Sequence, residues 1–554
     1  MIKQKINDFC RGTVRVIGII LVGYLFLQGM FTICCIQQIK EKVFYIQNNI
    51  VSQLIGIVLF ALFVWLVMRP SVQKILKRYG TFLFAGALIL MTIFLAFWIS
   101  QTRFWFDADM REIFLSAEQM LQGDYSGWMP GGYVHMWPHQ NGLALFVALL
   151  LKNMSVASAF TTIYCVNIVF YIITLISLYF SLRLLFREWE ICCVQGLLLI
   201  CYFPYGFYCT FMYGNVIGFG WACASIALVL WHLKNQKIVP MLGAALCMMM
   251  AIIFKQNEML IFVGIVIILI FDWFNRETGK RKTALCAGMY MLIVLVGIRI
   301  PNLAVEHITG IEVQGNSKFA GLAMGLQEGD IAPGWNNNYD NDIFVENGYD
   351  IELTEQTCLA SIKESWSVFL SEPEKGWKFF NYKFASEWNN PTFECYNIQN
   401  GLSTNIELSS LVKSVINDGG KLNILSIFWL DILQSALLFG ILMYMIDAKE
   451  ASWEQLLFVL LFIGGFIFFA LWEARCQYVL PFFFLLIPYS FLGYKALLKK
   501  RRLWNVSAIL AALIFVIAIA DNSLINDSLK INIDTDSYYE YIHTYNHNFM
   551  NLRF

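Results

Sequence analysis

Long uninterrupted apolar segments restrict what this 554-residue chain can fold into. Hydrophobic residues make up 58% of the sequence and charged residues only 14%, whereas soluble proteins carry roughly a quarter charged residues. Many apolar runs reach the roughly 20 residues that a helix needs to cross a bilayer, and β-strands are much shorter than this. The sequence therefore predicts an all-α polytopic membrane protein. Thirteen spans are predicted, at residues 13–36, 49–68, 80–101, 156–183, 190–210, 213–233, 239–254, 259–274, 283–301, 424–446, 455–471, 478–495 and 503–521.

The basic residues of the connecting loops predict how these spans are oriented. Lys and Arg are about three times as frequent in one set of short loops as in the other, and cytoplasmic loops carry such an excess. The rich set includes residues 69–78, 276–282 and 495–502. The N-terminus is therefore expected in the cytoplasm, and an odd number of spans places the C-terminus outside the cell membrane. The first apolar run, residues 14–35, is too long for a cleavable signal peptide and is predicted to be the first span.

Net charge and cysteine usage narrow the classes of function. The formal net charge is zero, so nothing in the composition indicates a nucleic-acid partner. Most of the 14 cysteines lie inside apolar segments, where cysteine is typically a small core residue. Their spacing is not that of metal ligands. Cys358 and Cys395 lie in a long polar stretch, and a disulfide between them stays open.

Two long polar stretches divide the predicted spans into regions. Residues 302–423 are expected to form a small external domain of α or α+β structure. The predicted organisation has five parts: an N-terminal hairpin that could be accessory at 1–79, a core of spans at 80–301 with an outer loop at 102–155, the external domain at 302–423, C-terminal spans at 424–521 and an external tail at 522–554.

Two short segments of the outer loop are predicted to be juxtamembrane helices. Residues 109–122 have apolar positions at helical spacing with charged residues between them, and Gly123 is expected to close this helix. Residues 142–152 are apolar but too short to span a bilayer, so they are expected to lie along its outer surface.

Nearly every unusual polar group falls on the predicted outer side. These groups are Asp107, Asp109, the segment 133–140, the segment 255–258, Arg299 and the segment 473–478. Transporters place ionisable groups near the middle of the bilayer, where this chain has few, Asp431 being the clearest exception. A site at the outer rim suggests an enzyme that acts on a lipid head group.

Each of these groups also has a simpler interpretation. Asp107 and Asp109 fit the solvated start of a helix, because acidic residues favour helix N-termini. Lys255 fits a side chain that reaches the membrane surface along its aliphatic stem, and Glu473 fits an ion pair with Arg475. Only the common location of these groups favours a functional site.

Several short stretches resemble the C-fold (GT-C) glycosyltransferases, a superfamily that includes the protein O-mannosyltransferases, the lipid A aminoarabinose transferases and their bacterial relatives. The stretches in the outer loop are Asp107-Ala108-Asp109, Met120-Leu121-Gln122-Gly123-Asp124 and Trp137-Pro138-His139-Gln140-Asn141-Gly142-Leu143. Two later stretches that look like the bacterial relatives are Gly334-Trp335-Asn336-Asn337 and Glu473-Ala474-Arg475 with Tyr478. By position, Asp109 matches the family's catalytic aspartate. The chain departs from the pattern at Met110, where the family often has a second acidic residue, and in having two spans before the usual first one.

The resemblance implies a GT-C-like bundle of about 13 transmembrane helices and an inverting glycosyltransferase. The outer side of the membrane holds no nucleotide sugars, so the donor would be a polyprenyl-phosphate sugar. The acceptor would be an envelope glycan, a glycolipid or a protein. Asp109 would be the general base, and Asp107 would orient the acceptor or act as the base itself. No cofactor is required, but a divalent cation held by these two carboxylates stays open.

The other candidate residues follow from the chemistry of the two substrates. A phosphate leaving group needs charge stabilisation, for which a planar guanidinium is well suited. The candidates for the donor phosphate are Arg475 first, then Lys255, Arg299 and His139. The candidates for the acceptor and the sugar are Trp137, Gln140, Glu473, Trp335 and Tyr339. Trp377 and Trp388 fit either sugar stacking or anchoring at the membrane surface.

Two other classes of membrane protein stay open. A polysaccharide polymerase or ligase of a different fold also works through outer loops, but it favours clusters of Arg and His over an acidic helix. A solute transporter or lipid flippase would need a continuous polar path through the spans.

Overall fold

The computed structural model describes residues 2–36, 42–186, 188–397, 407–519, 536–538 and 540–541. Helices form most of this part of the chain, together with a two-stranded sheet. Eleven of the described helices are long and apolar enough to cross a membrane, or twelve if the bent pair Trp189–Cys201 and Pro204–Thr210 is one span. The chain is a polytopic helical membrane protein.

The elements of the N-terminal half are α1 (Ile2–Phe31), β1 (Thr32–Ile36), β2 (Val43–Gln47), α2 (Ile50–Val67), α3 (Pro70–Thr102), α4 (Ala108–Gln122), α5 (Tyr133–Met136), α6 (Asn141–Asn153), α7 (Val156–Leu185), α8 (Trp189–Cys201), α9 (Pro204–Phe207), α10 (Asn215–Asn235), α11 (Ile238–Phe254), α12 (Met259–Asn275), α13 (Lys280–Gly297) and α14 (Ile300–Thr309). Those of the C-terminal half are α15 (Lys318–Gly325), α16 (Tyr339–Glu346), α17 (Ile351–Ser371), α18 (Pro373–Trp388), α19 (Ser410–Ile416), α20 (Lys421–Asp447), α21 (Trp453–Leu471), α22 (Cys476–Lys499) and α23 (Arg501–Ile519). Short 3-10 turns lie at Ser126–Trp128, Pro138–Gln140, Tyr208–Thr210 and Gln256–Glu258.

Every predicted span overlaps a helix of the structure. The segment predicted at 190–210 is bent by 51° between α8 and α9, just before Pro204, which has no N–H to continue a helix. The segment predicted at 239–254 is α11, an apolar helix of 17 residues. Most of the predicted tail at 522–554 lies outside the described residues.

The predicted N-terminal hairpin packs as an integral part of the bundle. α1 lies against α20 and α21, α2 lies against α20, and the predicted boundary at residue 79 falls inside α3. The side chains of Asn48 and Gln53 both donate hydrogen bonds to the carboxylate of Asp431 in α20. Asp431, the clearest ionisable residue within the predicted spans, is therefore hydrogen-bonded by polar residues of the hairpin region. β1 and β2 pair antiparallel, from Thr32 opposite Gln47 to Ile36 opposite Val43.

The predicted external domain is helical where it is described, and part of it enters the bundle. α15, α16 and α17 pack around a small core of Ala320, Ala323, Ile343 and Cys358. α18 instead runs into the bundle, where the Trp388 ring lies 5.3 Å from the ring of Phe462 in α21. Residues 389–396, which follow α18, are all buried. We call residues 383–396 the re-entrant segment.

The irregular backbone of the re-entrant segment is satisfied by side chains of the surrounding helices. Tyr202 and Tyr208 donate hydrogen bonds to the carbonyl oxygens of Pro391 and Phe393, and Gln434 donates one of 2.6 Å to the carbonyl of Trp388. Non-helical backbone among membrane spans is tolerated where the protein supplies such partners. Residues 383–396 therefore pack within the helix bundle and not with the small core of α15, α16 and α17.

The disulfide considered between Cys358 and Cys395 is not formed. All 14 cysteines are free thiols. Cys358 belongs to the small core of the external helices, whereas Cys395 lies in the main core of the bundle. The two residues are therefore separate buried apolar positions.

Candidate active site

The first turn of α4 places Asp109 at one end of the helix bundle. Asp107 is the N-cap residue of this helix, and its side chain accepts a hydrogen bond of 2.9 Å from the backbone N–H of Ala108. The backbone N–H of Met212 donates to the sulfur of Met110 over 3.2 Å and joins the start of α4 to the segment before α10. The predicted helix at 109–122 is confirmed, and Gly123 ends it in the left-handed region at φ 79°.

Two tyrosines lie close to the carboxylate of Asp109. Tyr213 and Tyr133 both act to lower its pKa, and their hydroxyl oxygens lie 3.4 Å apart. Gly214, at φ 76°, lets the segment that carries Tyr213 pass close to α11, because a Cβ there would collide with the carbonyl oxygen of Phe254. The glycine therefore allows the close approach that places the tyrosine beside Asp109.

Burial shifts the pKa of Asp109 even though its side chain keeps exposed surface. Desolvation raises this pKa above its usual range, against the opposing effects of Arg475, Tyr213 and Lys255. Asp109 is exposed, and the side chains of Tyr213, Lys255, Glu473 and Arg475 near it are partly exposed. We call the surface lined by Asp109, Tyr213, Lys255, Glu473 and Arg475 the cleft.

Lys255 brings a cation into the cleft from the end of α11. Its Nζ atom lies 4.2 Å from the ring centroid of Tyr213 and 5.6 Å from that of Tyr478. Burial lowers the pKa of Lys255 to about 8, while the carboxylates of Glu258, Asp109 and Glu473 oppose this shift. The ammonium group is therefore still largely protonated at neutral pH.

Arg475 reaches the cleft from the turn between α21 and α22. Its Nε atom lies 3.6 Å from Oε1 of Glu473, and its Nη1 atom lies 3.5 Å from Oε1 of Glu394. The guanidinium carbon lies 5.0 Å from the ring centroid of Trp335. Tyr478 donates a hydrogen bond of 3.2 Å to Oε2 of Glu473. Burial raises the pKa of Glu473, an effect that Arg475 counteracts.

The turn that carries Arg475 is fixed by contacts to the re-entrant segment and the external helices. The Nζ atom of Lys383 donates hydrogen bonds of 2.6 Å to the carbonyl oxygens of Trp472 and Gly325. The backbone N–H of Ala474 donates to the carbonyl of Gly334 over 2.8 Å. A Cβ on Gly325 would collide with the backbone of Trp472, so a glycine is needed there. Three separate parts of the chain thus set the direction of Arg475.

His139 and Gln140 lie beside the cleft. Burial lowers the pKa of His139 to about 4, and the nearby Lys255 and Lys318 add to this effect. The side chain of His139 is exposed and is mainly neutral at pH 7, so its role at the donor phosphate stays a prediction, as a neutral hydrogen-bonding group. Gln140 is buried beside Tyr213, whose pKa it lowers, and the Trp137 ring lies 6.0 Å from that of His139.

The structure does not bring all predicted residues to the cleft. Arg299 is exposed at the junction of α13 and α14, and among the described residues no hydrogen bond, ion pair or ring contact joins it to the cleft. Tyr339 packs against the small core of the external helices.

The predicted sugar-stacking role of two tryptophans is corrected by their burial. Trp335 has no exposed surface, and its indole N–H donates a hydrogen bond of 2.8 Å to Ser386. Trp388 is 1% exposed and packs against α21. Neither ring offers a face to a sugar. The ring of Trp335 instead packs against the guanidinium of Arg475.

Sequence reasoning missed residues that complete the cleft. Tyr213 lay at the edge of a predicted span, and Glu394 lay in a stretch expected to be external. Asp340 of α16 is buried near Glu473, and burial followed by the charge of Glu473 raises its pKa to about 7. The only sequence signal for Glu394 was its apolar and aromatic surroundings, Phe393 and Tyr396 among them.

Within the described part of the chain, no three His, Cys, Asp or Glu side chains converge as a group that could hold a metal ion. Comparison of the chain with protein-family models, with curated proteins and with solved structures gives no match.

Proposed function

We propose that the chain is a membrane glycosyltransferase of the GT-C type, which moves a sugar from a polyprenyl-phosphate donor to an envelope acceptor. The observation that supports this best is the meeting of Asp109, Lys255, Glu473 and Arg475, from three distant parts of the sequence, in one cleft. A carboxylate beside two cations provides a base for a hydroxyl group and counter-charges for a departing phosphate.

In the proposed reaction, Asp109 removes the proton of the acceptor hydroxyl. The hydroxyl oxygen bonds to the anomeric carbon as the bond from that carbon to the phosphate oxygen breaks, which inverts the anomeric centre. Polyprenyl phosphate leaves with the bonding electrons. The raised pKa of Asp109 makes it a stronger base than an ordinary aspartate, and such a base contributes roughly 10²–10⁴-fold to a rate.

Arg475 and Lys255 are assigned to the phosphate. The guanidinium presents several N–H donors in a plane and the ammonium a compact charge, so together they stabilise the leaving group. Neutral His139 supplies a hydrogen bond, and the exposed Arg299 is assigned to attracting the donor. The scheme needs no cofactor, and a divalent cation between Asp109 and the phosphate is testable by assay with a chelator.

The acceptor is assigned to the side of the cleft that carries Trp137, Gln140 and Glu473. Gln140 and Glu473 offer hydrogen-bonding groups for hydroxyls, and Trp137 is partly exposed beside them. Asp107 caps α4 through Ala108 and so holds the backbone from which Asp109 projects.

The proposal places the cleft on the outer face of the cell membrane. The apolar runs predict thirteen spans. The basic loops predict that the N-terminus is cytoplasmic, and thirteen spans then place the C-terminus outside. Reporter fusions after α3, α7 and α23 test this orientation. A reporter enzyme that works only outside the cytoplasm should be active when it is fused after α3 or α23 and inactive when it is fused after α7.

The decisive experiment is transfer of labelled sugar by the purified protein from polyprenyl-phosphate sugars to an envelope extract. Asp109→Asn keeps size and hydrogen bonding but removes the base, and we expect the rate to fall roughly 10²–10⁴-fold with unchanged thermal stability. Asp107→Asn is the matched control and should retain most of the activity. Equal activity of wild type and D109N would remove Asp109 from the role of base.

A further inference from the structure

The guanidinium of Arg475 is held by a carboxylate from the re-entrant segment. Glu394 is 3% exposed, and its Oε1 atom lies 3.5 Å from Nη1 of Arg475. Its Oε2 atom accepts a hydrogen bond of 3.2 Å from the backbone N–H of Gln477. Both carboxylate oxygens thus contact the same turn, so Glu394 fixes the backbone of the turn and the side chain of Arg475 together.

The backbone that carries Glu394 adopts an unfavourable conformation. Phe393 has φ 47° and Glu394 has φ 61°, both in the left-handed region that residues with a Cβ rarely adopt. Such a conformation raises the free energy of the folded chain and persists only where the surroundings enforce it. The hydrogen bond from Tyr208 to the carbonyl oxygen of Phe393 is one such restraint. Strain of this kind concentrates at functional sites, and here it directs a carboxylate at the arginine of the cleft.

Glu394 is one of three groups around the guanidinium. Glu473 lies at its Nε side, and the buried ring of Trp335 lies below it. A free arginine side chain loses up to about 2 kcal/mol of rotamer entropy when it is fixed. An arginine that is already fixed loses less entropy when it binds a ligand, which increases affinity.

We infer that Glu394 is a positioning residue that holds Arg475 in the orientation in which it binds the phosphate of the donor. The inference rests on the proposed function for the identity of the ligand. It predicts that loss of the Glu394 charge weakens donor binding and also slows the departure of the phosphate, while the role of Asp109 as base is unchanged.

The contact itself is tested without any assumption about the reaction. Phenylglyoxal is a dicarbonyl reagent that modifies arginine side chains in their neutral form. An adjacent carboxylate favours the charged form and therefore slows the modification. Mass spectrometry of purified protein in detergent would measure the modification rate of Arg475 in the wild type, in Glu394→Gln and in the control Asp272→Asn, which removes a distant carboxylate. We expect a several-fold faster rate only in E394Q. Equal rates in wild type and E394Q would overturn the positioning role, whatever the protein catalyses.

The consequence for the reaction is tested by kinetics with a polyprenyl-phosphate sugar. For E394Q we expect the donor KM to rise about tenfold and kcat to fall as well, because Arg475 contacts the phosphate both when the donor binds and when the phosphate leaves. Glu394→Asp, which keeps the charge, should recover part of the affinity. In an Arg475→Lys background, E394Q should add little, because the two residues act as a unit.

The outcomes separate the two proposals. An equal rise in KM with and without Arg475 would show that Glu394 does not act through it and would overturn the inference. If E394Q is misfolded by thermal melting, E394D decides the question through its own reagent rate and KM. Absence of any sugar transfer by wild-type protein would contradict the proposed function, while the reagent rates would still decide the role of Glu394.

Discussion

The two ends of the helix bundle use charged residues in different ways. At the end that carries the cleft, the ion pairs of Arg475 with Glu394 and Glu473 are largely buried, the side chains being 16%, 5% and 13% exposed. One of these carboxylates comes from a distant part of the chain. Removing charges from water costs several kcal/mol per ion, which their mutual attraction does not always offset.

At the opposite end the ion pairs are local or open to solvent. Arg11 pairs with Asp8 three residues away, and Arg276 pairs with Asp272 four residues away. The side chain of Lys500, which pairs with Asp447, is 54% exposed. Such pairs contribute little to stability. The comparison indicates that one end has local or solvent-exposed ion pairs, whereas the other holds buried charges in a fixed arrangement, which is what the proposed reaction would use.

The largest effect is expected at Lys383, which supports the cleft from the re-entrant segment. Lys383→Met would leave the carbonyls of Trp472 and Gly325 without this donor and buried Glu387 without its cationic neighbour. We expect a loss of about 3–5 kcal/mol in the free energy of unfolding, as for other broken buried pairs. Denaturant titration in detergent measures it. Lys378→Met, at an exposed position of the same helix, is the control, and equal losses in both variants would contradict the importance of the buried charges near the cleft.

A smaller effect is expected when the cation at 475 is kept but its shape is changed. Arg475→Lys loses the planar donor pair, and we expect donor affinity to fall about tenfold or more, given that hydrogen bonds to charged groups contribute about 1.5–3 kcal/mol. Titration with a polyprenyl phosphate checks this value. Arg276→Lys at the opposite end should bind as the wild type does, and unchanged affinity in R475K would refute the assignment of the phosphate to Arg475.

The pH dependence of the reaction distinguishes the two kinds of group in the cleft. Lys255, with a pKa of about 8, loses its charge as the pH rises above that value, so donor kcat/KM should fall there. Lys255→Arg stays charged and should move this alkaline limb upward. The acid limb belongs to Asp109, whose raised pKa requires a higher pH for deprotonation, so it should persist in K255R. An alkaline limb at the same pH in both proteins would exclude Lys255 as its source.

The smallest effect is expected at the opposite end. Asp272→Asn breaks the 2.7 Å pair with Arg276, and pairs at this spacing contribute about 0.2–0.5 kcal/mol. Stability should therefore change little, and sugar transfer should match that of the wild type. A large loss of transfer in D272N would show that the two ends are not functionally distinct.

The helices were predictable from the sequence because their signals are local. A bilayer requires about 20 apolar residues in a row, and such runs are visible without any knowledge of neighbours. The helix predicted at 109–122 was likewise visible from its spacing and its closing Gly123, and the structure gives Ala108–Gln122. The second short helix, predicted at 142–152, is Asn141–Asn153.

The re-entrant segment was not predictable in the same way. Lys383, Glu387 and Asn390 are polar, so they indicate a solvent-exposed loop when only their neighbours in sequence are considered. Their burial depends on partners such as the carbonyl of Trp472, which lies far along the chain. The same limit hid Glu394, whereas Asp109, Lys255 and Arg475 stood out because they lie in short loops between apolar runs.

The buried position of residues 389–396 has a consequence for biosynthesis. These residues contact α8, which is made before them, and α22, which the ribosome makes only later. Their final place is therefore completed only after α22 has entered the bilayer, so the arrangement of the cleft forms late in synthesis. A nascent chain that stops before Cys476 would carry Asp109, Glu394 and Arg475 but would lack Gln477, whose backbone N–H donates to the carboxylate of Glu394. Under the proposed function, we expect such unfinished protein to be inactive in sugar transfer.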